Sequence, residues 1–142
     1  RGLHTLFPRI AQQGRTAGAI AAFLDQHPKV LATHYPGLAS HPGHEIAKMQ
    51  QSGFGAMLSF ELAGGTEEMR RFVEAVEGFT LAESLGGVES LIAHPATMTH
   101  ASMGAEAREA AGITDSLLRL SVGLESEDDL IQGLERGFAT LV

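Results

Sequence analysis

Ala56-Met57-Leu58-Ser59-Phe60-Glu61-Leu62 alternates strictly, with Ala56, Leu58, Phe60 and Leu62 on one side and Met57, Ser59 and Glu61 on the other. A period of two is the mark of a strand that turns one face to a core, and Gly53 and Gly55 punctuate its start. Leu117 to Leu124 repeats the pattern, placing Leu118, Leu120 and Val122 on the core face and Arg119 opposite. Strands of a doubly wound parallel sheet are buried on both faces and read as unbroken apolar runs. These do not, so the expected class is α+β: an open, mainly antiparallel sheet with helices on one face. The other face is left free to meet another domain.

Outward from these strands, the amino-terminal segment carries Leu3, Leu6, Phe7, Ile10, Ala17, Ile20, Ala21 and Leu24 at helical spacing, and Pro28 stops it. Pro8 and Gly14 fall inside that pattern and predict kinked or separate first turns. Val30 to His34 reads as a short strand, followed by the turns Tyr35-Pro36-Gly37 and His41-Pro42-Gly43 and a helix from His44 to Gln51. Thr66 is placed to cap a helix with Met69, Phe72, Val73 and Val76 on its inner side. Phe79 to Ala82 reads as a strand, Ala105 to Ala111 as a short helix. Ser126 and Asp129 read as a capping box opening a last helix with Leu130, Ile131, Leu134, Phe138 and Leu141 inside.

A chain of 142 residues, 44% of them hydrophobic, suffices for one domain with a core. Its formal net charge of −7 and the lack of any Lys/Arg cluster argue against nucleic acid as a partner. No apolar run is long enough for a bilayer, so no membrane partner is expected. The absence of cysteine removes disulfides and thiolate metal sites and suits a reducing cytosol, making a cytoplasmic setting the expectation. Arg1 leads directly into helix-like sequence, and the expectation is that an amino-terminal part of a longer protein is missing.

Arg119 is the first candidate for chemistry. A guanidinium on an apolar strand fits a carboxylate through its planar fork. The alternative is an exposed or structurally paired arginine. Glu83-Ser84-Leu85-Gly86-Gly87 ends a strand and turns through two glycines, which lets backbone approach a ligand closely or simply makes a tight turn. It matches neither phosphate-loop spacing nor a nucleophile elbow, since Ala82 stands where the elbow needs glycine. The pairs His41/His44 and His94/His100 lack metal-ligand spacing, so no metal is expected. Lys29 and Lys48 are the only lysines, and neither context suggests a desolvated amine able to form a Schiff base.

Several words of the sequence, in order and spanning nearly the whole chain, carry a resemblance. They are Tyr35-Pro-Gly-Leu-Ala-Ser-His-Pro42, Gly53-Phe-Gly-Ala-Met-Leu-Ser-Phe60, Leu81-Ala-Glu-Ser-Leu-Gly-Gly-Val-Glu-Ser-Leu-Ile92, His94-Pro-Ala-Thr-Met-Thr-His100 and Leu117-Leu-Arg-Leu-Ser-Val-Gly-Leu-Glu125. Together they resemble the Cys/Met-metabolism family of pyridoxal-phosphate enzymes. The resemblance implies the small carboxy-terminal domain of the aspartate-aminotransferase-like fold (fold type I), spanning 1–142, with a linking helix over the first 26 or so residues.

It further implies that Arg119 holds the substrate α-carboxylate, with Leu85 and Thr99 lining the same pocket. Ser84 would lie beside the cofactor and its lysine as the catalytic contribution of this chain. A carboxylate at Glu83 would favour substrates with a distal amino group. The cofactor, pyridoxal 5'-phosphate, its Schiff-base lysine and its other ligands would belong to a larger domain whose motifs are absent here, so no residue of this chain binds it and the chain alone is expected to be inactive. Its partners would be that amino-terminal cofactor domain and small amino-acid substrates, within a homotetramer when full length. The Glu83-to-Ser90 word favours the synthase and gamma-lyase branches over the sulfhydrylases. The leading expectation is gamma-replacement on O-succinyl- or O-acetylhomoserine by cysteine to give cystathionine. Gamma-elimination from cystathionine or methionine is the alternative, and a stand-alone amino-acid-binding module the second.

Overall fold

Leu6–Asp25 forms one unbroken helix, α1, in a computed structural model that describes residues 1–142. A separate 3₁₀ turn, Gly2–Thr5, precedes it. The expected kink at Pro8 and Gly14 is absent for a positional reason. Pro8 is the third residue of α1, where the backbone N–H has no acceptor within the helix to lose. Gln13, Thr16, Ala17, Ile20, Ala21 and Leu24 form the buried stripe of α1.

Five strands follow the chain as β1 (Val30–His34), β2 (Met57–Leu62), β3 (Thr80–Leu81), β4 (Leu91–Ala93) and β5 (Leu117–Ser121). In space they lie in the order β1-β2-β5-β4-β3. β1 with β2, β2 with β5, and β5 with β4 are antiparallel, and only the short β3 runs parallel to β4. The mainly antiparallel sheet is therefore as the alternation predicts. Two readings along it need correction, and one strand went unread. The strand read from Phe79 to Ala82 narrows to Thr80 and Leu81. The one read to Leu124 ends at Ser121, where the chain leaves to pair Leu124 N–H with the Val88 carbonyl at 2.8 Å. β4 has no alternation to betray it, because Leu91, Ile92 and Ala93 are all buried.

The helices are α1, α2 (His44–Gln50), α3 (Thr66–Ala75), α4 (Ala105–Ala110) and α5 (Glu127–Ala139). Thr66 is not a cap. Gly65 holds the cap position of α3, and its N–H donates to the Glu68 carboxylate at 2.8 Å. Ser126 occupies the cap position of α5, but its hydroxyl makes no capping bond, so the expected box with Asp129 does not form.

α1, α3 and α5 cover one face of the sheet. Leu58, Phe60, Leu62, Leu118 and Leu120 meet Ile20, Leu24, Phe72, Leu134 and Phe138 in one cluster. The Phe60, Phe72 and Phe138 rings lie 4.8 to 6.4 Å apart, the spacing at which tilted aromatic pairs attract. Burying each such side chain is worth about 1.5–3 kcal/mol. Lys29 closes the far end, its ammonium donating to the Phe138 carbonyl at 2.9 Å and to that of Leu141. A cation at the carbonyl end of α5 also opposes the helix dipole. No helix is long and apolar enough to cross a membrane.

Candidate functional site

The register puts Arg119 in the middle of the sheet, with Ser59 of β2 and Ala93 of β4 as its neighbours. Leu118 and Leu120 point into the core, so Arg119 emerges on the face that the helices leave open. Its Nη2 donates to the carbonyls of Glu83 and Ser84, at 3.0 and 3.2 Å. No carboxylate pairs with it. A half-buried guanidinium anchored by one nitrogen and lacking a counter-charge has further N–H donors with which it can pair with an anion.

The Glu83–Gly87 turn folds over the same face. Gly86 has φ +76°, a backbone setting that a residue with a Cβ rarely adopts, and its N–H donates to Ser121 Oγ at 2.9 Å. Ser121 shares a strand face with Arg119, so the turn is tied to β5 at two points. Glu83, Ser84 and Leu85 are exposed on it. The structure thus brings Arg119 and the backbone of Glu83 and Ser84 together, with Leu85 next in the chain. Thr99 stands apart in its bonding: its hydroxyl pairs with His100 Nδ1 at 2.8 Å and with nothing in the Arg119 cluster.

The remaining candidates have structural partners. His94 is buried, bridging Thr97 Oγ1 and the Asp115 carbonyl at 2.7 Å each. His41 Nδ1 accepts from Gly43 N–H, and His44 pairs with the Pro36 carbonyl and stacks on Phe54. No three His, Cys, Asp or Glu side chains come together as a metal site. Lys29 is committed to the end of α5, and Lys48 is exposed on the last turn of α2. These two amines do not fit a cofactor site.

Patterning passes over three further residues around the turn. Gln13 Nε2 donates to the Gly87 carbonyl at 2.8 Å, and Ser90 gives its N–H and hydroxyl to the two Glu125 oxygens at 2.7 Å each. Only Gln13 leaves a trace in the sequence, as a polar residue on the apolar stripe of α1.

The profile of the family described as "Cys/Met metabolism PLP-dependent enzyme" matches residues 1–139. The chain belongs to this family. Among the relatives, cystathionine gamma-synthase of Escherichia coli (strain K12) is 57% identical over 138 residues, covering 97% of this chain and 36% of that protein. L-methionine gamma-lyase of Fusobacterium nucleatum subsp. polymorphum is 51% identical over 137 residues, 96% of this chain and 35% of that protein. The crystal structure of cystathionine gamma synthase from Xanthomonas oryzae pv. oryzae, in complex with aminoacrylate and cysteine, superposes with TM-score 0.92 at 60% identity, over 99% of this chain and 38% of that one. The family resemblance of the sequence words is thus shown, and the five-stranded mixed fold is that of its solved members. The chain spans about 36% of the E. coli relative's length.

Proposed function

We propose that this chain is the carboxy-terminal, substrate-carboxylate-binding domain of a longer pyridoxal-phosphate enzyme that makes cystathionine from an O-acylated homoserine and cysteine. The observation that carries the reading is Arg119: a guanidinium on the open sheet face, held by two backbone carbonyls and lacking any carboxylate of its own. An amino acid's α-carboxylate fits the remaining donors. Ser84 sits on the turn that Arg119 grips, which supports a role for its hydroxyl beside the substrate. Glu83, exposed beside it, offers a carboxylate to a distal ammonium. Thr99 and Leu85 would complete the pocket wall.

The cofactor, when bound, supplies the electron sink of the family's chemistry. Neither Lys29 nor Lys48 fits a Schiff base with that group, which supports placing its lysine and pocket in the remaining part of the longer protein. That part is the proposed occupant of an apolar groove of about 1010 Å³ along α1, lined by Leu3, Leu6, Phe7, Ile10, Tyr35 and Phe54 among others. Phe7 is 89% exposed there. The length of the relatives, nearly three times that matched here, is what suggests a covering domain of the same protein.

Gamma-synthase is preferred over gamma-lyase because synthases stand at 57% and 60% identity, against 51% for the methionine gamma-lyase. Assay of the longer enzyme with an O-acylhomoserine plus cysteine, beside cystathionine alone and methionine alone, chooses between them. Cystathionine formation faster than either elimination is the expected result; dominant elimination assigns the lyase branch. The isolated 142-residue chain should turn over none of these substrates with added pyridoxal phosphate. Turnover by it would overturn the domain assignment.

A further inference from the structure

We propose that Glu125 and Gln13 are positioning residues, which hold the Glu83–Ser90 segment in the one conformation that lets Arg119 receive a carboxylate. The inference rests on the carboxylate-site reading of Arg119. The segment has little core to fix it, since Glu83, Ser84, Leu85, Val88 and Glu89 are exposed and Gly86 adopts a left-handed φ. Its shape is set by polar contacts from three directions. From α1, Gln13 donates to the Gly87 carbonyl at 2.8 Å. From β5, Ser121 accepts from Gly86 N–H at 2.9 Å. Beyond β5, Glu125 accepts from Ser90 N–H and from Ser90 Oγ, each at 2.7 Å, while Ser90 Oγ accepts from Gly123 N–H at 2.8 Å. A Cβ at Gly123 would stand 2.3 Å from the Val88 carbonyl oxygen, so the two backbones touch where the clamp closes.

Gln13 and Ser90 are 1% exposed and Ser121 2%. Burying an amide and hydroxyls costs desolvation that their hydrogen bonds only about repay. On the stripe of α1 that continues as Ala17, Ile20 and Leu24, an apolar side chain would serve stability as well. Gln13 differs from it in fixing the direction of the Gly87 carbonyl. Three and four residues earlier in the segment, the carbonyls of Ser84 and Glu83 must face Arg119 Nη2 to keep the fork aimed. Binding geometry at the carboxylate then depends on groups that never touch it, and an ångström of misplacement can cost on the order of a hundredfold in rate.

The test is steady-state kinetics of the longer enzyme with Glu125→Ala, Glu125→Gln and Gln13→Leu, with Arg119→Lys run in parallel. Glu125→Ala and Gln13→Leu should each raise KM for the amino-acid substrate by about tenfold while kcat changes less than about threefold. Glu125→Gln, which keeps an oxygen for Ser90 N–H, should restore most of the affinity. If Glu125→Ala fails to fold, Gln13→Leu, close in volume, carries the test alone. An unchanged KM in either folded variant, even with a lower melting temperature, overturns the proposal, because it leaves the contacts a purely stabilising role. If Arg119→Lys leaves KM unchanged, the carboxylate reading itself fails, and that outcome is distinct from failure of the clamp.

Discussion

His27 lies flat against Phe138, with ring centroids 3.8 Å apart and planes inclined by 19°. Burial pushes its pKa below the ordinary 6.5, and the Lys29 ammonium pushes the same way against a smaller opposing pull from Glu135. The unfolded chain therefore binds a proton more readily than the folded one. The stability His27 contributes is present above pH 6.5 and is lost as pH falls through its lower folded value. Thermal melts of the chain should show a midpoint falling between pH 7.5 and 5.5, with a shallower fall in His27→Gln. An equal slope in both would remove His27 as the cause. Arg119, by contrast, needed no environment to be noticed: strand parity alone put a guanidinium opposite Leu118 and Leu120. What parity could not supply was its partners, because the Glu83 and Ser84 carbonyls are 36 and 35 residues away in the chain.

At the scale of elements, α5 crosses the chain at Gly133, where an added Cβ would stand 2.0 Å from the Glu77 carbonyl oxygen. Backbone cannot yield as a side-chain tip can, so α5 would have to lift from Phe72 and Phe60. Gly133→Ala should therefore destabilise the fold by about 1–3 kcal/mol, the usual range for overpacking, despite the better helix propensity of alanine. Urea unfolding of the two chains checks it, and a stability gain would contradict the close approach. Elements with long periodic patterns were legible: α1, β2, α3, β5 and α5 all follow from spacing. β4 was not, since three residues buried throughout show no period, and Thr80 and Leu81 of β3 are too few to fix the bounds of the strand read over Phe79 to Ala82. The cap of α3 was misread at Thr66, and Ser126 stands at the cap position of α5 without its capping bond, because side-chain caps are recognised by residue type, whereas here Glu68 reaches back to Gly65 without a hydroxyl partner.

For the whole molecule, one face of the sheet is spent on the core and the other presents Arg119 under a polar, clamped turn. Under the proposed reading, the open sheet face receives the substrate and the groove along α1 receives the rest of the longer protein. The family words in the sequence pointed to the family that the profile match over residues 1–139 shows. The contacts of Gln13 and Glu125 were illegible because their partners lie 74 and 35 residues distant. The most direct test compares binding of an amino-acid substrate with that of its α-carboxamide, in the longer enzyme and its Arg119→Lys variant. The native arginine should favour the carboxylate by on the order of tenfold or more, and the lysine, without a planar fork, should lose most of that preference. The same preference in both proteins would contradict the placement of the carboxylate on Arg119.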